Sequence, residues 1–346
     1  MLTANEIIII DYLKSRKESS SKEIFEGTSI PISYATLKRN LSKLVETNIL
    51  ETKGKGKGTK YLISSIFEVI QPVDIESYYL KEIDERKIKE TFNFSIISEV
   101  FAKTTIFTAL ELEKLNHLQL TFEKNITTLS KNEYLKEFER LAIDLSWKSS
   151  QIEGNTYSLL ETERLLKEKE TALGKTKEEA TMLLNHKEAL DFILENPDYL
   201  YPLQINKIED IHSILIKELN VERNLRKRRV GISGTNYKPL DNEYQIIEAL
   251  ELTCELINKK QNIFEKSLLV LVLISYIQPF MDGNKRTARI VSNAILISNR
   301  YCPISFRTVD AIEYKKAMLL FYEQNNISRF KEIFINQFEF AVKTYF

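Results

Sequence analysis

The sequence predicts a mainly α protein, and three observations point there. Glycine is scarce, with 9 in 346 residues. Long segments rich in Leu, Glu and Lys repeat their apolar residues at helical spacing. The clear strand–turn–strand signal is confined to the glycine-lysine tip "GKGKG" at 54–58. The length suggests two or three domains and allows a sizeable core. Lys plus Arg equals Asp plus Glu at 49 each, so no net field steers the whole chain toward nucleic acid or membrane. Two cysteines, Cys254 and Cys302, lie far apart without metal-like spacing, which fits a reduced, cytoplasmic protein. The N-terminus "MLTANEIIIIDYLKSRK" lacks a charged leader and a small-residue cleavage site, so it does not read as a signal peptide. The apolar run "SLLVLVLISYI" is too short to span a bilayer and reads as a buried core helix, so no membrane is expected.

In order along the chain, residues 5–16 predict a first helix with Ile7, Ile8, Ile10 and Leu13 on or near one face. Ser21 can cap a second helix that Gly27 ends. A third, capped by Ser33, carries Leu37, Leu41 and Leu44 inward. Lys38, Arg39 and Lys43 project elsewhere. "ILETKGKGKGTKYLI" follows as strand, turn, strand. Three helices and a basic hairpin over 1–66 resemble a winged helix-turn-helix, in which the third helix enters the major groove and the wing touches phosphate. Residues 1–65 hold eleven Lys/Arg against seven Asp/Glu. The candidate DNA contacts are Lys38, Arg39, Lys43, Lys55 and Lys57. "GKGKGTK" and "LGKTK" lack the spacing and the following helix of a phosphate loop. Residues 67–94, broken by Pro72 and mixed in charge, read as a connector.

Residues 133–153 form an amphipathic helix, with Leu135, Phe138, Leu141, Ala142, Leu145 and Ile152 close to one stripe. Gly154-Asn155 stops it. Glu153 therefore meets the negative end of the helix dipole, where a carboxylate is disfavoured by about 0.3–1 kcal/mol. It either points into water or reaches a cation elsewhere in the fold. Ser149 lies one turn earlier on the same face.

The helix that begins near Glu265 must end near Pro279. "FMDGN" is a turn, and a new helix then starts with Lys285, Arg286 and Arg289 in its first turns. Positive charge at a helix N-terminus is electrostatically unfavourable, unless an anion sits there and shares the N–H and guanidinium groups. Asp282 beside that anion needs a divalent cation between them. The loop predicts a nucleotide with Mg²⁺.

"QPFMDGNKRTAR" resembles the signature of the Fic (Fido) family, usually His-Pro-Phe-x-Asp/Glu-Gly-Asn-Gly/Lys-Arg-x-x-Arg, at every position but the first. "SSQIEGN" resembles the family's inhibitory helix through Ser149, Glu153 and Gly154, as in members that carry this helix N-terminal to the core (class II). "LRKRRVGISGTNYKP" is similar to the flap, a hairpin that holds the target segment, through Arg226, Val230, Ile232, Gly234, Tyr237 and Pro239. "LLNHKEALDFI" and "SFRTVDAIEYKKAM" also fit, so the resemblance covers roughly 95–346.

The resemblance implies a helical domain with a small β-hairpin flap. Residues 95–200 would be an N-terminal helical region, with the inhibitory helix at 133–155, and 201–346 the core. It implies ATP binding and AMP transfer to a hydroxyl side chain of a protein. In that scheme Asp282 holds Mg²⁺. Gly283, Asn284 and Lys285 line the anion hole, with Asn284 orienting the α-phosphate. Arg286 holds phosphate oxygens, and Arg289 binds the γ-phosphate unless Glu153 occupies it. Ile232, Ser233, Gly234, Thr235, Asn236 and Tyr237 hold the target. The site is then autoinhibited by its own chain.

Gln278 occupies the place of the family's general base, and an amide has no basic nitrogen. General-base catalysis contributes 10²–10⁴-fold, so transfer is expected to be weak or absent. His212 and His186 read as packed helix residues. The alternative is a DNA-binding regulator whose Fic-like domain senses a nucleotide. The long apolar helices could support a homodimer.

Overall fold

The computed structural model describes residues 2–346. The chain divides after Pro72 into two compact units, Met1–Pro72 and Val73–Phe346.

In the first unit, α1 (Ala4–Lys14) starts at a reciprocal cap in which the Thr3 hydroxyl accepts from the Glu6 N–H and the Glu6 carboxylate accepts from the Thr3 N–H. The buried stripe is Glu6, Ile9, Ile10 and Leu13. Ile7 and Ile8 face outward, contrary to the face expected. Four isoleucines in a row cover every side of a helix, so their spacing cannot choose a face. The choice is made by Glu6, which takes an inward position because Lys43 pairs with it at 2.8 Å. A short strand β1 (Ser19–Ser20) precedes α2 (Ser21–Gly27), whose cap is Ser20 rather than Ser21. α3 (Tyr34–Glu46), capped by Ser33, buries Leu37, Leu41 and Leu44. β2 (Leu50–Lys53) and β3 (Lys60–Ile63) pair antiparallel, Leu50 opposite Ile63, and β1 adds to the other edge of β3. α4 (Ser65–Ile70) completes the unit.

The second unit begins with α5 (Ile75–Tyr79). Much of the stretch read as a connector is bonded into this unit: Arg86 pairs with buried Glu323 at 3.0 Å, and Thr91 bridges to Lys238. A π-helical turn, Ile96–Phe101, leads into the bundle. Its helices are α6 (Ala109–Thr128), α7 (Lys131–Ile152), α8 (Leu159–Glu168), α9 (Lys177–Glu195), α10 (Ile205–Leu215), α11 (Glu243–Lys259), α12 (Ile263–Ile277), α13 (Asn284–Ser298), α14 (Ala311–Gln324) and α15 (Ser328–Tyr345).

α12 explains the uninterrupted apolar run. It is the central helix, buried from Ser267 through Ile277, and needs no polar face. α13 is its most extensive partner, and Ser267 and Ser292 hydrogen-bond across the pair at 2.8 Å. α7, α9 and α10 pack around α13. Leu135 on α7, expected in the stripe, is exposed. No helix among the described residues is long and apolar enough to cross a membrane. The flap segment forms no β-hairpin; its one strand-like contact is the Thr91–Lys238 bridge. Its backbone bonds to residues 90 and 279 rather than to a return strand of its own.

Candidate active site

The loop between α12 and α13 is closed by its own side chains. α12 ends at Gln278, in the left-handed region at φ 51°, and Pro279 prevents continuation. Asn284 spans the turn. Its Oδ1 accepts from the Phe280 N–H, and its Nδ2 donates to the Phe280 carbonyl, both at 2.8 Å. The second Nδ2 hydrogen goes to Gln278 Oε1 at 3.1 Å. Gly283 opens α13 at φ 80°, and a Cβ there would meet Ile216 and His212 at 3.3–3.4 Å. A side chain at this point would be strained by the backbone conformation and would press Ile216 and His212 back by a few tenths of an ångström.

His212 lies directly beneath this loop. Its ring stacks on Phe280 at 3.6 Å, its Nε2 is 2.9 Å from the Asp282 carbonyl, and its Nδ1 is 3.3 Å from the Arg223 carbonyl. Burial pushes its pKa down to about 4, so the ring is neutral and has one N–H; the shorter contact assigns that proton to Nε2. The sequence offers no reason to bring α10 here, and His212 is both packed and a support of the loop. His186, on α9, is fully buried, and burial together with Arg289 and Arg286 holds it neutral.

The C-terminal carbonyls of α12 are satisfied from the flap. Tyr237 Oη donates to the Tyr276 carbonyl at 3.1 Å. Arg226, fully buried, donates to the carbonyls of Ile277 and Gln278, and its own N–H reaches the Pro279 carbonyl at 2.9 Å. A guanidinium at a helix C-terminus is favourably placed, because it answers orphan carbonyls and the negative end of the dipole together.

The charges converge on Glu153, which caps the C-terminus of α7. Its Oε1 accepts from Arg289 at 2.9 Å and its Oε2 from Lys285 at 3.2 Å. Arg289 also donates to the Ser149 hydroxyl at 2.8 Å and the Ser149 carbonyl at 2.9 Å. Burial alone would raise the Glu153 carboxyl, but the two cations outweigh it and hold the group below its ordinary value of 4.5. Arg286, also buried, donates to Asp282 Oδ2 at 3.1 Å. Gly154 follows Glu153 at φ 98° and turns the chain away.

These groups border a cavity of about 350 Å³ whose lining includes Glu153, Gln278, Asp282, Lys285, Tyr322 and the flap residues from Val230 to Ser233. The Gln278 amide donates to the Ser275 carbonyl at 2.6 Å and lies 3.4 Å from Tyr322 Oη. No imidazole lines this cavity among the described residues. Nor do those residues contain three or more His, Cys, Asp or Glu placed to hold a metal ion. Asp282 is exposed and can supply one ligand. That donor set fits Mg²⁺, which commonly takes one or two carboxylates and completes its shell with phosphate oxygens and water.

Residues 202–296 match the family model described as the Fic/DOC family. Residues 202–296 form a Fic domain. The protein adenylyltransferase Fic of Nematostella vectensis is 30% identical over 172 residues, 48% of this chain and 40% of that protein. The chain thus spans well under two thirds of the length of this relative. Among solved structures, Fic-1 (residues 134–508) from C. elegans superposes with a TM-score of 0.60 at 18% identity, covering 68% of this chain and 72% of that one. A Fic-domain-containing signaling protein from Bacteroides thetaiotaomicron superposes at 0.59 and 18% identity, covering 67% of this chain and 95% of that one. These superpositions establish a shared fold.

The second unit brings Ser149, Glu153, Asp282, Lys285, Arg286 and Arg289 together. It splits the candidate flap residues. Ile232 and Ser233 line the cavity. Thr235 Oγ1 accepts from the Tyr237 N–H at 3.1 Å, and Asn236 donates to Asp84 at 2.9 Å. Tyr237 is buried beneath the flap. In the first unit, Lys43 is engaged by Glu6, Lys53 by Glu18 at 3.2 Å and Lys60 by Glu23 at 3.3 Å. The Lys38 ammonium lies 5.6 Å from the Tyr34 ring centroid. Arg39 and Lys55 are exposed, and the side chain of Lys57 lies outside the described residues.

Proposed function

We propose that this protein binds ATP with Mg²⁺ in a Fic domain related to protein adenylyltransferases, that Glu153 holds the site closed, and that AMP transfer to protein hydroxyls is weak or absent. The observation that carries the reading is Glu153 bridging Arg289 and Lys285. Two cations at the start of α13 are matched by one internal carboxylate, which stands in for an anion bound at a helix N-terminus. In the open state, Lys285, Arg286 and Arg289 would bind the phosphates together with the N–H groups at Gly283 and Asn284. Asp282 would hold Mg²⁺, which would supply charge neutralisation between carboxylate and phosphate. Gln278 can orient a hydroxyl but cannot take its proton.

Labelling with α-³²P-ATP and Mg²⁺ tests this on the protein as given, Glu153→Gly, Gln278→His and the double variant. The expected result is label with the double variant alone. Strong label from Glu153→Gly alone would make the glutamine form an enzyme. No label and no ATP binding by any form would end the reading.

A second reading is favoured by one observation: the first unit runs helix, strand, helix, helix, hairpin, with Lys38 and Arg39 exposed on α3. On this reading the unit is a winged helix that binds DNA, and the Fic domain is its nucleotide sensor. Absence of a gel shift at low salt on the DNA upstream of its own coding region, with and without ATP, would remove it.

A further inference from the structure

Residues 78–93 follow the flap and the end of α14 and are bonded to both. Arg86 sits at the centre, with its side chain 4% exposed and that of its partner Glu323 0% exposed. Nη1 of Arg86 donates to both Glu323 oxygens at 3.0 and 3.2 Å, and Nη2 donates to the Gly234 carbonyl at 3.0 Å. Tyr78 Oη adds a bond to Glu323 at 2.7 Å, and the Lys89 N–H reaches the Glu323 carbonyl at 2.8 Å. Further along, Asn236 donates to Asp84, and the Lys238 N–H donates to the Glu90 carbonyl at 2.7 Å. The aromatic rings continue the brace. Phe92 stacks on Tyr276 at 4.6 Å, Tyr276 on Tyr237 at 4.9 Å and Tyr237 on Tyr322 at 5.6 Å. Tyr322 lines the cavity beside Gln278.

A buried ion pair is weak evidence for stability, but its fixed fork can specify geometry. Here one arm of the guanidinium is anchored to α14 and the other fixes a single flap carbonyl. Gly234 has φ 91°, a conformation that aims its carbonyl at Arg86 and that a side chain would strain. On the cavity side, the backbone groups of Gly231, Ile232 and Ser233 have no hydrogen-bond partner within the protein among the described residues. The flap therefore has one braced edge and one open edge.

We propose that residues 84–90 are the fixed back of the flap, and that Arg86 is a positioning residue for the acceptor polypeptide. It holds Gly234 so that the open edge, 231–233, is presented in register to an extended segment carrying the acceptor hydroxyl. This rests on the reading of the Fic domain as one that handles protein hydroxyls.

The decisive variant is Arg86→Lys. A lysine can keep Glu323 paired but cannot also fork to Gly234. The first readout needs no activity: hydrogen exchange at 230–236 and tryptic cleavage after Lys227, Arg228 and Arg229. Both should quicken several-fold, with the melting temperature and the ATP dissociation constant little changed. The second adds Arg86→Lys to the Glu153→Gly, Gln278→His double variant. Labelling of acceptor protein at saturating ATP should fall about tenfold or more, as expected for a displaced near-attack geometry. Unchanged flap exchange overturns the brace, and faster exchange with unchanged labelling overturns the positioning role. If the double variant itself labels nothing, the transfer reading fails, and exchange alone decides the brace. Arg86→Ala is not needed, so a folding failure there leaves the test intact.

Discussion

Nδ2 of Asn284 donates to Oε1 of Gln278 across 3.1 Å. Its other hydrogen and its Oδ1 are spent on Phe280. Gln278 therefore does more than lack a base. It occupies the one Asn284 hydrogen that could face an anion. Gln278→Ala should free that hydrogen and tighten ATP binding by about 1 kcal/mol, the net worth of one hydrogen bond, or roughly fivefold in affinity. Titration calorimetry on Gln278→Ala, and on Gln278→Ala combined with Asn284→Ala, measures it; the gain should vanish in the combined variant.

Glu153→Gly should lower the melting temperature without ligand and enlarge the rise that Mg-ATP produces. Breaking a fully buried pair costs about 3–5 kcal/mol, and the cost here should be smaller because Arg289 keeps both bonds to Ser149. Ligand then restores stability in proportion to its saturation of the site. A thermal shift no larger than that of the unaltered protein would show that Glu153 does not obstruct the nucleotide.

Acid should destabilise the protein through His212. The folded pKa of about 4 lies below the ordinary 6.5. Between those values the unfolded chain takes up a proton that the folded chain refuses. Stability thus falls as pH drops from 6.5 toward 4, by roughly 2–3 kcal/mol from this residue, and His186 acts in the same direction. Melting temperature against pH reads this, and His212→Gln should flatten the slope. Glu153 behaves differently. Its carboxyl is held below 4.5, so its contribution is fully present above that value and is lost only as pH falls through the lower, folded one. The closed state should not respond to pH between 5 and 8 through this group.

Chelation should weaken ATP binding to the unaltered protein. With Asp282→Ala, the nucleotide should bind weakly whether or not Mg²⁺ is present, since the carboxylate proposed to hold the ion is gone. Titrations with and without EDTA make the comparison. An equal EDTA effect on both proteins would place the ion elsewhere.

What could be read in the sequence was local or carried by a charge in the wrong place. Pro279 and Gly283 mark the loop by backbone chemistry alone. Glu153 at a helix C-terminus, with Arg286 and Arg289 near a helix N-terminus, announced groups in need of partners. His212 gave no such signal. Its neighbours Ile208, Ile211 and Leu215 are as buried as it is, and its contact to Asp282 crosses 70 positions. The brace was hidden for a related reason. "KEIDERKIKE" alternates charge like a solvated connector, and only Glu323, far along the chain, withdraws Arg86 from water. The flap's missing hairpin was invisible because its partners lie at 84–90 and 276–279 rather than in its own sequence.

The bonds from Arg226 and Tyr237 to the last carbonyls of α12 give the flap two fixed ends. Lifting either end would strip partners from carbonyls at the heart of the bundle, so those ends can open only with the loop itself, as a single high-energy unit in exchange. Between them the Gly234 carbonyl is held by Arg86 and the Arg228 carbonyl by Arg226, and only the stretch 229–233 carries no such penalty. Any route for a ligand into the cavity by way of the flap must bend residues 229–233 and leave the anchors on either side in place.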